Sequence, residues 1–207
     1  MSAEDQGRTG ILAILGSPRR RGNTDTLAGE FLRGAAGDGA TPGTVTRTII
    51  PSELALAPCD GDNRCFADGR CAIADGINPI YDEVLAAPRL LIATPVYFMG
   101  PPGSLKCFID RFQAVWARAA ILKTFDPDDP ARRRNHRAFA IYACAAADDP
   151  KIMRPAVSIV KAFCNVAGFD YAGEIIAAGL EGPADAAERP DLLKAAYAAG
   201  REFVEKA

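Results

Sequence analysis

Three stretches of this chain combine residue types that could do chemistry. The first is Gly16-Ser17-Pro18-Arg19-Arg20-Arg21-Gly22-Asn23-Thr24, which follows a short apolar run and leads into a helical pattern. Hydroxyls, a side-chain amide, a flexible glycine and the free N–H groups of a helix start together make a cradle for phosphate. The three arginines bring positive charge to where a phosphate dianion needs it, and Ser17, Asn23 and Thr24 add uncharged donors. The stretch is neither a P-loop nor a dinucleotide fingerprint, since it has no Gly-Lys-Ser/Thr ending and no G-x-G-x-x-G follows the strand. A plainer account also fits the spacing: Asn23 or Thr24 caps the helix and the arginines are solvated.

The second stretch, Thr94 to Ser104 (TPVYFMGPPGS), sets two aromatic residues in a turn fixed by glycine and proline. Backbone N–H groups beside a flat apolar wall suit a planar, hydrogen-bonding ring, which Tyr97 and Phe98 could stack on or cover. The competing account is a hydrophobic strand end packed on the next helix. The third stretch gathers Cys59, Cys65 and Cys71 with Asp62 among them; clustering of this kind points to metal or redox chemistry rather than to a secreted disulfide framework. The other cysteines, Cys107, Cys144 and Cys164, are scattered and read as small buried apolar residues.

The elements that must position these stretches alternate regularly. Gly10–Leu15, Val45–Ile50, Arg89–Thr94, Ala138–Ala143 and Glu174–Ala178 read as strands, the first and third as short runs buried on both faces. Helical spacing covers Asp25–Ala35, a segment from Asn78-Pro79 to Ala87 with Asn78 as its cap, Ser104 to about Ala120, Ile152–Ala167 and Leu192–Val204. Asp126–His136 reads as a charged surface loop. Five strands with intervening helices indicate an α/β fold, a parallel, doubly wound sheet with helices on both faces. In such sheets ligands sit beyond the carboxyl ends of the strands, where the strand order reverses. The loops after the first and third strands flank that point in the order 2-1-3-4-5.

With these loops in this order and the cysteine stretch between them, the chain resembles the flavodoxin-like NAD(P)H-dependent FMN reductase superfamily, in particular its branch around the iron–sulfur flavoproteins. The resembling residues are GSPRRRGNT (16–24) and ATPVYFMGPPGSLKCFIDR (93–111). The resemblance runs from about Ile11 to Arg111 and resumes near Leu192 to Gly200. It implies one flavodoxin-like FMN-binding domain over residues 1–207, a three-layer sandwich with residues 1–8 as a flexible lead. By position it implies that Ser17, Arg19, Gly22, Asn23 and Thr24 surround the FMN phosphate, while Pro95, Val96, Tyr97, Phe98 and Gly100 border the ribityl chain and ring. NAD(P)H is the implied co-substrate, and a homodimer or homotetramer the implied assembly. Lys106, Asp110 and Arg111 fall on a helix that in this family contributes to the dimer contact, although Asp110 could equally pair on a helix surface. Cys144–Asp149, after the fourth strand, is the positional candidate for a third flavin-bordering loop.

The iron–sulfur flavoproteins carry cysteines in the order C-x2-C-x2-C-xn-C. Here Cys59, Cys65 and Cys71 match the first, third and fourth positions, but Asp62 stands at the second. A [4Fe–4S] cluster normally takes four thiolates. A cluster with one carboxylate ligand, a three-iron cluster and a Cys3Asp zinc site stay open, against the expectation that the metal site is lost.

A formal net charge of −2 and a pI near 5.5 give no reason to expect a nucleic-acid partner. No window is apolar for long enough to span a membrane. The polar start, Met1 to Gly10, does not read as a secretory signal, so a soluble cytoplasmic protein is expected. FMN performs its own redox chemistry, so no catalytic acid or base is obligatory, and His136, the only histidine, reads as a surface residue. The leading expectation is an NAD(P)H-dependent reductase of a flavin, quinone or similar acceptor. Two alternatives stand beside it: an electron carrier like the iron–sulfur flavoproteins, and a non-catalytic module binding another phosphorylated ligand. Near-neutral charge and Asp62 count against the carrier; retention of both loops counts against the module.

Overall fold

Short apolar runs bounded by turn residues become strands of a parallel sheet, because both faces of such a sheet are covered. In the computed structural model, which describes residues 10–37, 45–145 and 150–205, these runs are β1 (Ile11–Leu15), β2 (Val45–Ile49), β3 (Arg89–Pro95), β4 (Arg137–Ala143) and β5 (Asp170–Ala177). They form one sheet in the order β2-β1-β3-β4-β5, every neighbouring pair parallel, as the sequence predicts. The helices are α1 (Asn23–Ala36), α2 (Ile77–Ala86), α3 (Gly103–Arg111), α4 (Gln113–Ala120), α5 (Pro130–Asn135), α6 (Arg154–Val166) and α7 (Pro190–Glu205). The expected flexible lead, residues 1–8, lies outside the described residues.

Alternate residues of each central strand feed two cores. Ile11, Ala13, Leu91 and Ile141 pack under α1 and α7, whose Phe31 and Phe203 meet Phe139. Leu12, Ile14, Leu90 and Ile92 pack under α2, α3, α4 and α6 around Tyr81, Phe108, Phe112 and Phe163. On the first face α1 and α7 approach unusually closely. A Cβ on Gly34 would collide with the Tyr197 carbonyl, and one on Gly200 with the Phe31 carbonyl.

Four local expectations are corrected. The pattern from Ser104 to Ala120 is two helices, broken at Phe112 (φ −70°, ψ 3°). Phe112 is anchored in the second core by Tyr81 at 5.1 Å and Phe163 at 4.8 Å between ring centroids, and its placement there sets the bend. Asp126–His136 is not all loop. Asp129 accepts from the Ala131 N–H at 2.8 Å and Pro130 follows it, an N-terminal signal that starts α5. Asn78 lies inside α2 and does not cap it; the cap is Gly76 at φ 83°, and the Asn78 amide instead clamps the Cys71 backbone N–H and C=O, both at 2.9 Å. Finally, β5 begins four residues before the predicted Glu174, because its half-exposed edge pattern shows no continuous apolar run.

The close α1–α7 contact predicts that Gly200→Ala lowers stability by about 1–3 kcal/mol through overpacking. A urea titration checks it: the midpoint should fall at unchanged slope, and an unchanged midpoint would mean the helices stand further apart.

Candidate functional site

Beyond the carboxyl ends of β1, β3 and β4 lies a cleft of about 230 Å³. Its walls include Ser17, Arg19, Gly22, Asn23 and Thr24 after β1, and Pro95, Val96 and Tyr97 after β3. The two loops singled out by sequence therefore meet at one site. Phe98 and Gly100 do not line it.

The first loop is a tight turn closed on itself. Ser17 is buried, and its Oγ accepts from the Arg19 N–H at 3.1 Å and donates to the Arg19 carbonyl at 2.8 Å. Arg21 follows at φ 57°, its N–H donating to Asp25 Oδ2 at 2.7 Å, while Arg20 pairs with Asp25 Oδ1 at 3.1 Å. Gly22 caps α1 with no side-chain bond, so neither Asn23 nor Thr24 caps the helix through its side chain and the first N–H groups have no such partner. Among the described residues the buried Thr24 hydroxyl and the exposed Arg19 guanidinium have no hydrogen-bond partner, and both border the cleft. Asn23 is different: its amide bonds to the Gly182 carbonyl and the Ala186 N–H.

The second loop carries a two-residue turn. Tyr97 and Gly100 exchange backbone bonds at 2.8 and 3.0 Å, and Phe98 and Met99 between them both have positive φ, 46° and 67°. Such a turn favours Asn-Gly, and holding two side-chain-bearing residues in it costs about 1–3 kcal/mol apiece. Tyr97 and Met99 are half exposed and Phe98 is wholly so, a bare apolar tip beside the cleft.

Of the remaining walls, the sequence singles out one and not the other. Residues 143–145 at the end of β4 line the cleft, so the start of the Cys144–Asp149 candidate is in place; residues 146–149 lie outside the described ones. Leu180, Glu181 and Gly182, between β5 and α7, also line it. Nothing in their residue types announced a site, and only the strand order places that loop beside β4.

The cysteine stretch is organised around a different group. Arg111 is wholly buried, and its guanidinium bonds to Asp75 (2.6 and 3.0 Å), to the Ala57 carbonyl (2.6 Å) and to Cys71 Sγ (3.0 Å). Arg111 is therefore not available for a dimer contact, whereas Lys106 and Asp110 pair with each other at 2.5 Å on the exposed side of α3. Cys59, Cys65 and Cys71 share a small hollow of about 20 Å³ with Asp62. Asp62 is already committed to Arg64, whose bonds hold its carboxyl below the usual range. Burial, aided by Cys71, pushes the Cys65 thiol up. Among the described residues no three or more His, Cys, Asp or Glu side chains converge as a metal site. As held here, with Asp62 on Arg64 and Cys71 on Arg111, these side chains do not fit around an iron–sulfur cluster. Cys164 is a core residue, its thiol pushed up to about 12 by burial; Cys107 donates to the Ala57 carbonyl at 3.4 Å, and Cys144 borders the cleft.

His136 is half-buried rather than on the surface. It stands at the amino end of β4, opposite the cleft, with its ring edge on Phe169 and its pKa lowered by burial and Arg132.

The sheet order and the cleft at its reversal define a flavodoxin-like α/β protein. Residues 9–147 match the model of the NADPH-dependent FMN reductase family, and the chain belongs to that family. An iron–sulfur flavoprotein of Methanocaldococcus jannaschii is 36% identical over 101 residues, 49% of this chain and 50% of that protein. The chain thus spans about half the length of the curated iron–sulfur flavoproteins it matches. An FMN-dependent NADH:quinone oxidoreductase of Alteromonas mediterranea is 27% identical, covering 82% of this chain and 86% of the relative. Among solved structures, the Trp repressor binding protein of Bacillus subtilis aligns over 93% of this chain and 99% of its own, with a TM-score of 0.58 and 25% identity. An azoreductase of Bacillus anthracis aligns over 96% and 100%, with a TM-score of 0.64 and 18% identity, which speaks for the fold.

The Arg111–Asp75 pair sets a pH dependence. The Arg111 bonds, with the Ala57 N–H, hold the Asp75 carboxyl below its ordinary value. Its stabilising effect is therefore complete above the unfolded value of about 3.9 and is lost as pH falls through the lower folded value. Asp75→Asn should cost about 3 kcal/mol at neutral pH. Denaturant unfolding from pH 7 to pH 2 checks this, since the gap between wild type and variant should hold above about pH 5 and close below pH 4.

Proposed function

We propose that this protein is an FMN-dependent oxidoreductase that takes reducing equivalents from NAD(P)H and delivers them to a flavin, quinone or similar acceptor. The observation that carries the reading is the set of unused donors at the head of α1, opening into the same cleft as the aromatic loop after β3. A helix start without a side-chain cap bond, the unpartnered Thr24 hydroxyl and the free Arg19 guanidinium fit a phosphate dianion. Val96 and Tyr97 supply an apolar border for a flat ring. When bound, FMN supplies the redox chemistry, and the protein contributes binding, orientation and exclusion of water. Arg19, Thr24 and the first N–H groups of α1 would hold the phosphate. Ser17, its proton committed to the Arg19 carbonyl, shapes the turn that aims them.

Self-association as a homodimer or homotetramer is part of this reading. It is supported by the apolar tip at Phe98 and Met99 and by exposed Trp116 and Ile121 on the α4 side. A reducing, cytoplasmic setting is supported by six unpaired cysteines. Among the described residues no helix is long and apolar enough to cross a membrane.

The test is an absorbance spectrum of anaerobically prepared protein, as isolated and after loading with FMN, followed by NADH or NADPH. Flavin bands that bleach on addition are expected. A colourless protein that cannot be loaded would remove the reading, and broad iron–sulfur absorption would move the protein to the electron carriers. Arg19→Ala and Thr24→Val should each weaken FMN about tenfold and leave riboflavin, which lacks the phosphate, unchanged in titrations of flavin fluorescence.

A further inference from the structure

The β5–α7 loop closes the cleft, and two unrelated parts of the chain tie it down. At one end the Leu180 N–H donates to the Cys144 carbonyl at 3.0 Å, which joins the loop to the end of β4. At the other, Asn23 Nδ2 donates to the Gly182 carbonyl at 2.7 Å and Asn23 Oδ1 accepts from the Ala186 N–H at 2.9 Å. Within the loop, Asp185 Oδ2 accepts from the Gly182 N–H at 2.7 Å. The Asp185 carboxylate occupies the space a Cβ on Gly182 would need, so a side chain there would have to push it aside.

Asn23 is the hinge of this arrangement. Its carboxamide reads the loop backbone with both ends, and the two bonds together fix the plane of the amide. Turning that amide toward a ligand would break both and free the loop. Thr24, next in sequence, has its hydroxyl unengaged beside the cleft, so the head of α1 divides two tasks between neighbours.

We propose that Asn23 is a positioning residue whose side chain builds a wall of the cofactor cleft by docking the 180–186 loop onto the head of α1, and does not itself hold the phosphate. The inference rests on the FMN reading above. The wall adjoins Cys144 and Ala145 at the end of β4, so its loss is felt by the organic part of the ligand as well as by the phosphate.

The experiment compares wild type, Arg19→Ala and Asn23→Ala in fluorescence titrations with FMN and with riboflavin, alongside amide hydrogen exchange on the ligand-free proteins. Asn23→Ala should weaken both flavins by the same factor, about tenfold, and speed exchange in residues 180–186 while α6 keeps its protection. Arg19→Ala should weaken FMN alone. Loss of FMN affinity with riboflavin binding and loop exchange unchanged would make Asn23 a phosphate ligand and overturn the proposal. Wild-type protein that binds neither flavin would overturn the FMN reading and the wall's ligand role with it, an outcome distinct from a phosphate-specific defect. If Asn23→Ala does not fold, Asp185→Ala loosens the same loop from its other side without touching α1. An equal loss for both flavins supports the proposal, and no loss or an FMN-only loss overturns it.

Discussion

The constraint on which the rest depends is the reversal of strand order between β1 and β3. Parallel strands all end on one side, and the chain leaves β1 and β3 toward helices on opposite faces of the sheet. The two loops must diverge, and a crevice opens between them. Everything at the site answers that geometry. The loop after β1 turns sharply through Ser17 and Arg21 to start α1 with its donors facing the crevice. The loop after β3 folds back on itself at Tyr97 and Gly100 before α3 begins. The end of β4 and the loop after β5 fill in the side that the reversal leaves open.

A second centre shares no lining residue with the crevice. The segment between β2 and α2 is long and has little regular structure, so its backbone has few partners of its own. Arg111 supplies them, reaching the Ala57 carbonyl, Asp75 and Cys71 from the end of α3, and its carbonyl accepts the buried Tyr81 hydroxyl at 2.7 Å. Asn78 adds two further bonds to the Cys71 backbone. A buried charge left without such partners would be strongly destabilising, so the segment and the arginine need one another. The three cysteines are thus carried on a loop that protein groups hold in place.

Much of this could be read from residue types alone. Short apolar runs bounded by turn residues, such as Ile11–Leu15, read as covered strands, and the glycine-, arginine- and hydroxyl-rich loop behind that run stands out by its charge and donors. What escaped reading is what depends on distant partners. Phe112 breaks a good helical pattern because aromatic rings from two other helices hold it. Arg111 looks like a surface residue at the end of a helix until Asp75 is brought beside it. Asn23 looks like a phosphate donor because local sequence carries no sign of Gly182 and Ala186, whose backbone it engages. The 180–182 wall has no signature, since its contribution is shape and backbone. Asp129-Pro130 is the exception: the signal for α5 was local and simply outweighed by the surrounding charge.

The contact between α1 and α7 also bears on the order in which the molecule can be made. The helix α1, whose first residues border the cleft, has its other face buried against a helix synthesised long after it, and its first residue is tied to a loop that arrives only slightly earlier. A nascent chain that has emerged through β4 holds both signature loops yet has neither the α7 face nor the wall after β5. Contacts this remote in sequence close late and slow the search for the native state. Capture of a cofactor is then a property of the finished chain rather than of its first half, which would shield a half-made protein from trapping a flavin it cannot yet hold.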